Sequence, residues 1–546
     1  MTTLTRKRLL LFITFCLTLL SLTARFKVSA GAQEYDLIVD PRAPEGLQGY
    51  FKTIQGAIDN ASSGQTIFVV NGTYYETLLI SKSITLVGQD RDITTIDGNQ
   101  LSNVISITAD NVIVRGFHVR NSSATKGAAI RMDRANNNLI VENNISDSYE
   151  GIYLSSSNNN TILSNILVNN DYCVEIYASS NNVVSNNTMA NNLEGIGIFT
   201  SSNNIVSNNT MTYNTNDGIG IYTSSNNIVR NNIILENSYG IVLSTSNNNT
   251  VTSNSICLST NFGVNIASGS SSNVFYHNNL NNLRQVEPDY SLMLPNIWDL
   301  NGEGNYWSDY NGTDANADGI GDTQYRIDFR NRDSNPLMGP FSDYFIRFQD
   351  KFFEVDIISN STVTNFEFEV GAETGNRIIR FDAGGQEENG FFCRARIPDA
   401  LMNYSSILLV DEEEIIPKTL SSLDSTYSSL YFSYAHSNRT VSMISSKNLY
   451  LLNQLLEKYL QLQVTVGAQN NTYNVLVYNY NNLSNSYNQL KQAYDNLRSS
   501  YDSLLLAQSE SKDNNQSILY IIAAATGVFL ASTVYLSKRA YEKPEN

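Results

Sequence analysis

The sequence predicts an all-β fold organised as a parallel β-helix, and three observations predict it. Between Gly127 and Leu280 the chain repeats itself roughly every 22 residues. Each repeat carries alternating apolar residues, such as Ile196 and Ile198, Ile219 and Ile221, or Ile241 and Leu243, which share one face of a short strand. Asn165, Asn187, Asn209, Asn232 and Asn254 return at one phase of the repeat. A helical solenoid of similar period needs apolar residues at three-and-four spacing and few asparagines or β-branched residues, the opposite of what stands here. Stacked coils lie about 4.8 Å apart, so residues of equal phase form ladders and each Asn can hydrogen-bond to its copies above and below.

From the N-terminus, Arg6-Lys7-Arg8, the apolar run Leu9 to Leu22 and the small-residue end Val28-Ser29-Ala30 read as a secretory signal over residues 1–30. Tyr50 to Asn60, with Ile54, Ala57 and Ile58 at helical spacing, reads as a short helix covering the open end of the core, which a solenoid requires. Thr66-Ile-Phe-Val-Val, Leu78-Leu-Ile, Ile84-Thr-Leu-Val-Gly and Val112-Ile-Val-Arg-Gly are strand-like runs between turn residues. Cap and coils together occupy residues 45–300.

The opening stretch Tyr50-Phe-Lys-Thr-Ile-Gln-Gly-Ala-Ile, with Gly72-Thr-Tyr, Ser83-Ile-Thr-Leu-Val-Gly and Ile96-Asp-Gly, resembles the start of NosD-like, pectin-lyase-like right-handed parallel β-helix proteins. Gly304-Asn-Tyr-Trp-Ser-Asp-Tyr, continuing through Asp318-Gly-Ile-Gly-Asp to Asn335-Pro-Leu-Met, resembles the element that closes the helix in many of them. The resemblance covers residues 45–340 and implies a right-handed helix, with a closing motif at 301–344. The wider family it points to holds polysaccharide lyases and hydrolases, sugar epimerases and non-enzymatic surface proteins, so the fold does not choose the function.

Residues 345–445 alternate polar and apolar in short runs, such as Thr364-Asn-Phe-Glu-Phe-Glu-Val, and predict a small β-sandwich. From Leu452 to Leu504 a heptad seam follows, with Tyr at one position (Tyr473, Tyr480, Tyr487, Tyr494, Tyr501) and Leu at the other. It predicts an α-helical coiled-coil stalk over 447–512, able to form a homo-oligomer and reaching on the order of 80 Å at 1.5 Å per residue. A single amphipathic helix packed on the sandwich is the competing reading. The uncharged run Ile518 to Leu536 is long enough to span a bilayer as a C-terminal transmembrane helix. Lys538, Arg539 and Lys543 behind it place the tail, 537–546, in the cytoplasm and the bulk of the chain outside the cell membrane.

A net charge of −17 lacks the basic clusters that nucleic acid requires, and 16 % charged residues with nine prolines speak against disorder. Cys173, Cys257 and Cys393 remain after export, an odd number at unrelated phases and no disulfide framework. Sequons at Asn60, Asn71, Asn121, Asn311, Asn360, Asn403, Asn438 and Asn482 suit an exported glycoprotein, although an Asn-rich chain generates them by chance.

Aligning the repeats places outward positions in columns. One holds Tyr153, Glu175, Gly197, Gly220 and Val242, the next Ser155, Tyr177, Phe199, Tyr222 and Ser244, and a third Glu150, Tyr172, Glu194, Asp217 and Tyr239. Gly197 and Gly220 predict a shallow floor beside an aromatic ladder of Tyr177, Phe199 and Tyr222, with Glu175, Glu194 and Asp217 at its edge. Rings to stack on and acceptors for hydroxyls suit a carbohydrate or cell-surface polymer, and non-catalytic recognition is the expected function. The same carboxyls could serve a polysaccharide-processing enzyme, since retaining and inverting hydrolases need pairs about 5 Å or 6.5–9.5 Å apart. Cross-strand packing of the rings alone would make the protein a structural envelope component.

Asp314, Asn316, Asp318, Ile320 through its carbonyl, and Asp322 follow the spacing of the first half of a calcium loop. The Glu that should follow is replaced by Tyr325, and an Asx-rich turn explains the same residues. No copper is expected, because the three histidines His118, His277 and His436 stand far apart, without clustered Met or Cys.

Overall fold

The computed structural model describes residues 35–509 except 268, 290–293, 386–389, 403–404, 422–423, 436–437 and 469–472. These fall into two compact units, 35–316 with 320–341, and 317–319 with 342–509. The predicted signal at 1–30 and the apolar run 518–536 lie outside the described residues. Among the described residues no helix is long and apolar enough to cross a membrane.

The first unit is a right-handed parallel β-helix with three parallel sheets of 12, 11 and 10 strands. Each coil contributes two three-residue strands, for example Thr161–Leu163 and Ile166–Val168, to the first and second sheets. One six-residue strand, such as Tyr172–Tyr177 or Glu194–Phe199, goes to the third. Period-2 alternation works as the sequence predicts. Ile152, Val174, Ile196, Ile219, Ile241 and Val264 pair in register up the third sheet, as do Leu154, Ile176, Ile198, Ile221, Leu243 and Ile266. All twelve are at most 5 % exposed, so each contributes on the order of 1.5–3 kcal/mol of apolar burial.

The corners between strands need left-handed residues, and Asn supplies both that conformation and the hydrogen bonds of the turn. Each ladder Asn follows a residue of positive φ, such as Asn186 (φ 55°) before Asn187 and Asn208 (φ 56°) before Asn209. Asn187 Nδ2 donates to Ile162 O at 3.0 Å and Asn209 Oδ1 at 2.9 Å, and its backbone N–H donates to the same Oδ1 at 3.0 Å. A second ladder runs through Asn160, Asn182, Asn204, Asn227, Asn249 and Asn273.

Both ends of the solenoid are closed. Helix α1 (Ile54–Asn60) buries Ile54, Ala57 and Ile58, and Thr53 caps it by accepting from the Gly56 N–H. Glu76 secures the same end by accepting from the Ile54 and Gln55 N–H groups, each at 2.9 Å. At the far end the closing motif terminates the ladders. The Asn305 N–H donates to Asp333 Oδ2 at 2.7 Å, and the Asn296 N–H to Asn331 Oδ1 at 2.8 Å. Trp298 and Trp307 are buried there, and Trp307 stacks on Tyr325 with 4.2 Å between centroids.

The strands from Phe341–Phe348 to Arg439–Ser446 form two five-stranded sheets with antiparallel pairing. Alternating residues of strand Arg377–Gly384 (Ile379, Phe381, Ala383) are buried with Val355, Ile357, Phe391, Cys393, Phe432, Val441 and Met443 in one cluster drawn from both sheets. Helices α2 (Lys447–Ala468) and α3 (Tyr473–Ser509) follow. Ser503, near the end of α3, donates from Oγ to Glu373 Oε2 at 3.2 Å, which brings α3 back to the sheets from which α2 departs.

Candidate functional site

The three predicted columns stand on the third sheet in the predicted register. Tyr153 pairs with Glu175, Glu175 with Gly197, Gly197 with Gly220 and Gly220 with Val242. Ser155, Tyr177, Phe199, Tyr222 and Ser244 follow in the same way, and Glu150 pairs with Tyr172, Tyr172 with Glu194, and Asp217 with Tyr239. Six-residue strands with one residue per phase leave no other alignment.

What differs is the floor. A Cβ built on Gly197 would lie 2.5 Å from Phe199 Cε2, and one on Gly220 would approach the Tyr222 ring just as closely. The rings therefore fold back along their own strands onto the glycines and fill the predicted groove. Phe199 and Tyr222 stack on each other, centroids 4.9 Å apart and planes 10° from parallel. Tyr177, one coil earlier with Glu175 in place of a glycine, stands out at 49 % exposure. The ladder is thus one projecting ring followed by two reclining ones.

The carboxyls correct the expectation too. Glu194 (5 % exposed) and Asp217 (3 %) lie buried beneath this aromatic layer and do not sit at a solvent edge. The Tyr222 hydroxyl donates to Asp217 Oδ2. Glu194 Oε1 and, two coils away, Glu150 Oε2 are sealed from solvent with no hydrogen-bond partner. Burial, then the neighbouring Asp217 and Glu175, pushes the Glu194 carboxyl up to about 8. Burial and Glu175 push Glu150 up to about 7 against the opposing pull of Arg131. Burial raises Glu175, and raises Asp217 against the Tyr222 hydrogen bond. At neutral pH Glu150 and Glu194 are partly protonated, able to donate as well as accept hydrogen bonds.

Arg131 was not foreseen. It pairs with Tyr153 one coil before Glu175, and its guanidinium lies 4.5 Å from the centre of the Tyr153 ring. Extending the column one repeat towards the N-terminus would have found it. Asp333 was also missed. It is fully buried and accepts from the Asn305 N–H, from Trp307 Nε1 at 2.8 Å and from the Asn335 N–H at 3.0 Å, while burial pushes its carboxyl up to about 6.

The calcium reading of Asp314, Asn316, Asp318, Ile320 and Asp322 gains no support. Among the described residues no group of three or more His, Cys, Asp or Glu is placed to hold a metal ion. Asp322 Oδ2 accepts from the Ala315 N–H at 2.7 Å, an Asx-type closure of the turn, and Ile320 is buried and bridged to Leu337. Copper ligands are equally scattered. His118 Nε2 meets Ser146 Oγ at 2.9 Å, and His277 Nε2 meets Glu303 Oε2 at 2.7 Å while stacking on Phe341. The strands carrying or adjoining these two rings lie seven rungs apart, roughly 34 Å at 4.8 Å per rung. Cys173, Cys257 and Cys393 are buried and not joined in disulfides, and His436 lies outside the described residues. These residues do not fit a copper centre.

Among known proteins, the family described as periplasmic copper-binding protein (NosD) matches over residues 58–199 and 103–312. No curated protein matches. Several solved structures are similar to this chain at low identity. An alginate lyase from Paenibacillus sp. strain FPU-7 is 16 % identical, covering 44 % of this chain and 94 % of its own, with a TM-score of 0.31. The enzymatically active domain of tailspike protein 2 of bacteriophage CBA120 is 10 % identical, covering 71 % and 76 %, with a TM-score of 0.40. PfbA, a surface adhesin of Streptococcus pneumoniae, is 13 % identical, covering 41 % and 80 %, with a TM-score of 0.35. Coil period, ladder corners, closing motif and family match agree: residues 58–312 form a right-handed parallel β-helix of coil repeats similar to that of the NosD family.

Proposed function

We propose that the protein is an exported, membrane-anchored surface protein whose third sheet recognises carbohydrate or a similar hydroxyl-rich cell-surface polymer without turning it over. The observation that carries this reading is the register column Tyr177, Phe199 and Tyr222, set beside the carboxyls of Glu175, Glu194 and Asp217. Aromatic faces give a sugar an apolar surface to stack on, and the half-buried carboxyls of Glu150 and Glu175 are placed to meet its hydroxyls. In this reading residues 1–30 direct export and the span 518–536 anchors the chain. The two sheets of 345–445 act as a β-sandwich spacer. The heptad seam, whose Tyr480 and Tyr487 are 70 % and 63 % exposed, offers a face for a second copy.

A second reading is favoured by one specific feature. A carboxyl held protonated to about 8, like that of Glu194, is what a general acid needs for glycosidic cleavage. The test is to incubate the full chain with a panel of neutral, amine-bearing and acidic oligosaccharides, measuring binding and looking for cleavage products. Binding without products supports recognition. Turnover that vanishes in Glu194→Gln or Asp217→Asn while binding persists supports the enzyme instead.

A further inference from the structure

Glu150, Glu175, Glu194 and Asp217 fall one per coil on four successive strands of the third sheet. Glu194, nineteen-twentieths buried, holds a carboxyl oxygen with no partner, and so does Glu150. Arg131 is the one basic residue in the third-sheet strands from Ala128–Asp133 to Phe262–Ala267, and it is drawn onto the Tyr153 ring at the N-terminal end of the row. The row is therefore a line of acids short of positive charge.

Its spacing says what kind of charge would complete it. Carboxyls that hold a metal converge on one point, and none of the described acids forms such a group. These fall on four successive rungs about 4.8 Å apart along the solenoid axis, with Glu175 three residues further along its strand than the phase shared by Glu150, Glu194 and Asp217. A ligand that matches them is itself periodic and brings one positive group to each rung. The projecting ring favours the same chemistry, because Tyr177 presents a face that attracts an ammonium group.

Resting on the reading of this face as a carbohydrate surface, we propose that its ligand is a cationic glycan, a polymer of amine-bearing sugars laid along the solenoid axis. Its ammonium groups meet the half-buried Glu150 and Glu175 directly, and Glu194 and Asp217 beneath the reclining rings act through their field. The groups facing this row are Arg131, Tyr153, Tyr172, Tyr177, Tyr222 and, from the core side, Cys173. None but Arg131 supplies a cation. An arriving ammonium stabilises the carboxylate forms, so binding near neutral pH releases protons from Glu150 and Glu194.

The experiment titrates the full chain calorimetrically with three oligosaccharides of equal length: fully deacetylated chitin fragments (cationic), their N-acetylated parents (neutral) and oligogalacturonate (anionic). Each titration is run at low and high salt and in two buffers of different ionisation enthalpy. The cationic series should bind at least about tenfold more tightly than the neutral one, weaken with salt and release protons. Glu175→Gln should weaken the cationic ligand about tenfold more than it weakens the neutral one. Equal affinity for neutral and cationic sugars overturns the proposal while leaving carbohydrate recognition standing, and so does a preference for the anionic series. Binding to none of the three overturns both. If Glu175→Gln misfolds, the ligand charge series on the unaltered chain still decides.

Discussion

The Tyr222 hydroxyl donates to the carboxylate of Asp217, five residues earlier on the same strand, while the Tyr222 ring lies over Gly220 between them. A side chain that bridges its own strand in this way needs the glycine beneath it, since any Cβ at Gly220 would meet the ring within 2.4 Å. Ring, glycine and acid form one unit, and Phe199, Gly197 and Glu194 repeat it one coil earlier with an aromatic that cannot hydrogen-bond.

Removing that hydroxyl should therefore matter. Tyr222→Phe leaves the ring and its stacking on Phe199 but strips a buried acid of its donor, with an expected loss of about 1–3 kcal/mol. Denaturant unfolding at neutral pH measures it. A variant as stable as the parent would mean that Asp217 draws nothing from this bond.

Glu194 predicts the direction of a pH dependence. Its carboxyl is raised from 4.5 to about 8 by burial and by Asp217 and Glu175, so the folded chain holds a proton that the unfolded chain releases. The stability this contributes is full below about 4.5 and is lost as the pH rises towards about 8. Glu150, raised to about 7, adds to the same slope. Glu194→Gln keeps the shape without the charge and should flatten the profile, gaining on the order of 2–4 kcal/mol at pH 8. Melting temperatures of parent and variant at pH 5 and pH 8 test this, and parallel profiles would contradict it.

The Asn ladders should be intolerant in their middle. Asn209 Nδ2 donates to Val184 O at 2.8 Å and to Asn232 Oδ1 at 3.0 Å, while Asn209 Oδ1 accepts from the Asn187 N–H and Nδ2. Asn209→Ala orphans several buried groups at once, so a loss of roughly 3 kcal/mol or more is expected. Unfolding measurements decide it, and a cost under about 1 kcal/mol would mean that water replaces the ladder.

Asp333 should behave as the end stop of that ladder. Its carboxyl accepts from the Asn305 and Asn335 N–H groups and from Trp307 Nε1, and Asn turns one acceptor into a donor facing donors. Asp333→Asn should destabilise the closing element by about 2–4 kcal/mol, read from quenching of the buried Trp298 and Trp307 before the rest of the helix unfolds. Protection equal to that of the parent would contradict this role.

The coil period and inward alternation were legible because a stacked strand permits one register. The positions of Tyr153, Glu175, Gly197 and Gly220 in one column followed from spacing alone. Side-chain direction was not legible: a glycine two residues before an aromatic reads equally as an open floor or as a bed for the ring, and only packing chooses the second. Asp333 escaped because it ends the Asn ladder from outside the repeat. The heptad seam showed that a helical stretch follows the sheets but not that α3 returns to Glu373, since periodicity names an apolar face and not its partner.

The most direct test of the central claim concerns Tyr177, the ring that projects from the face without supporting it. Binding of the full chain to an oligosaccharide panel, repeated with Tyr177→Ala at matched melting temperature, should show a ligand for the parent and a loss of at least about tenfold for the variant. A ligand whose affinity ignores Tyr177, or a parent that binds no sugar of any charge, would contradict carbohydrate recognition by the third sheet.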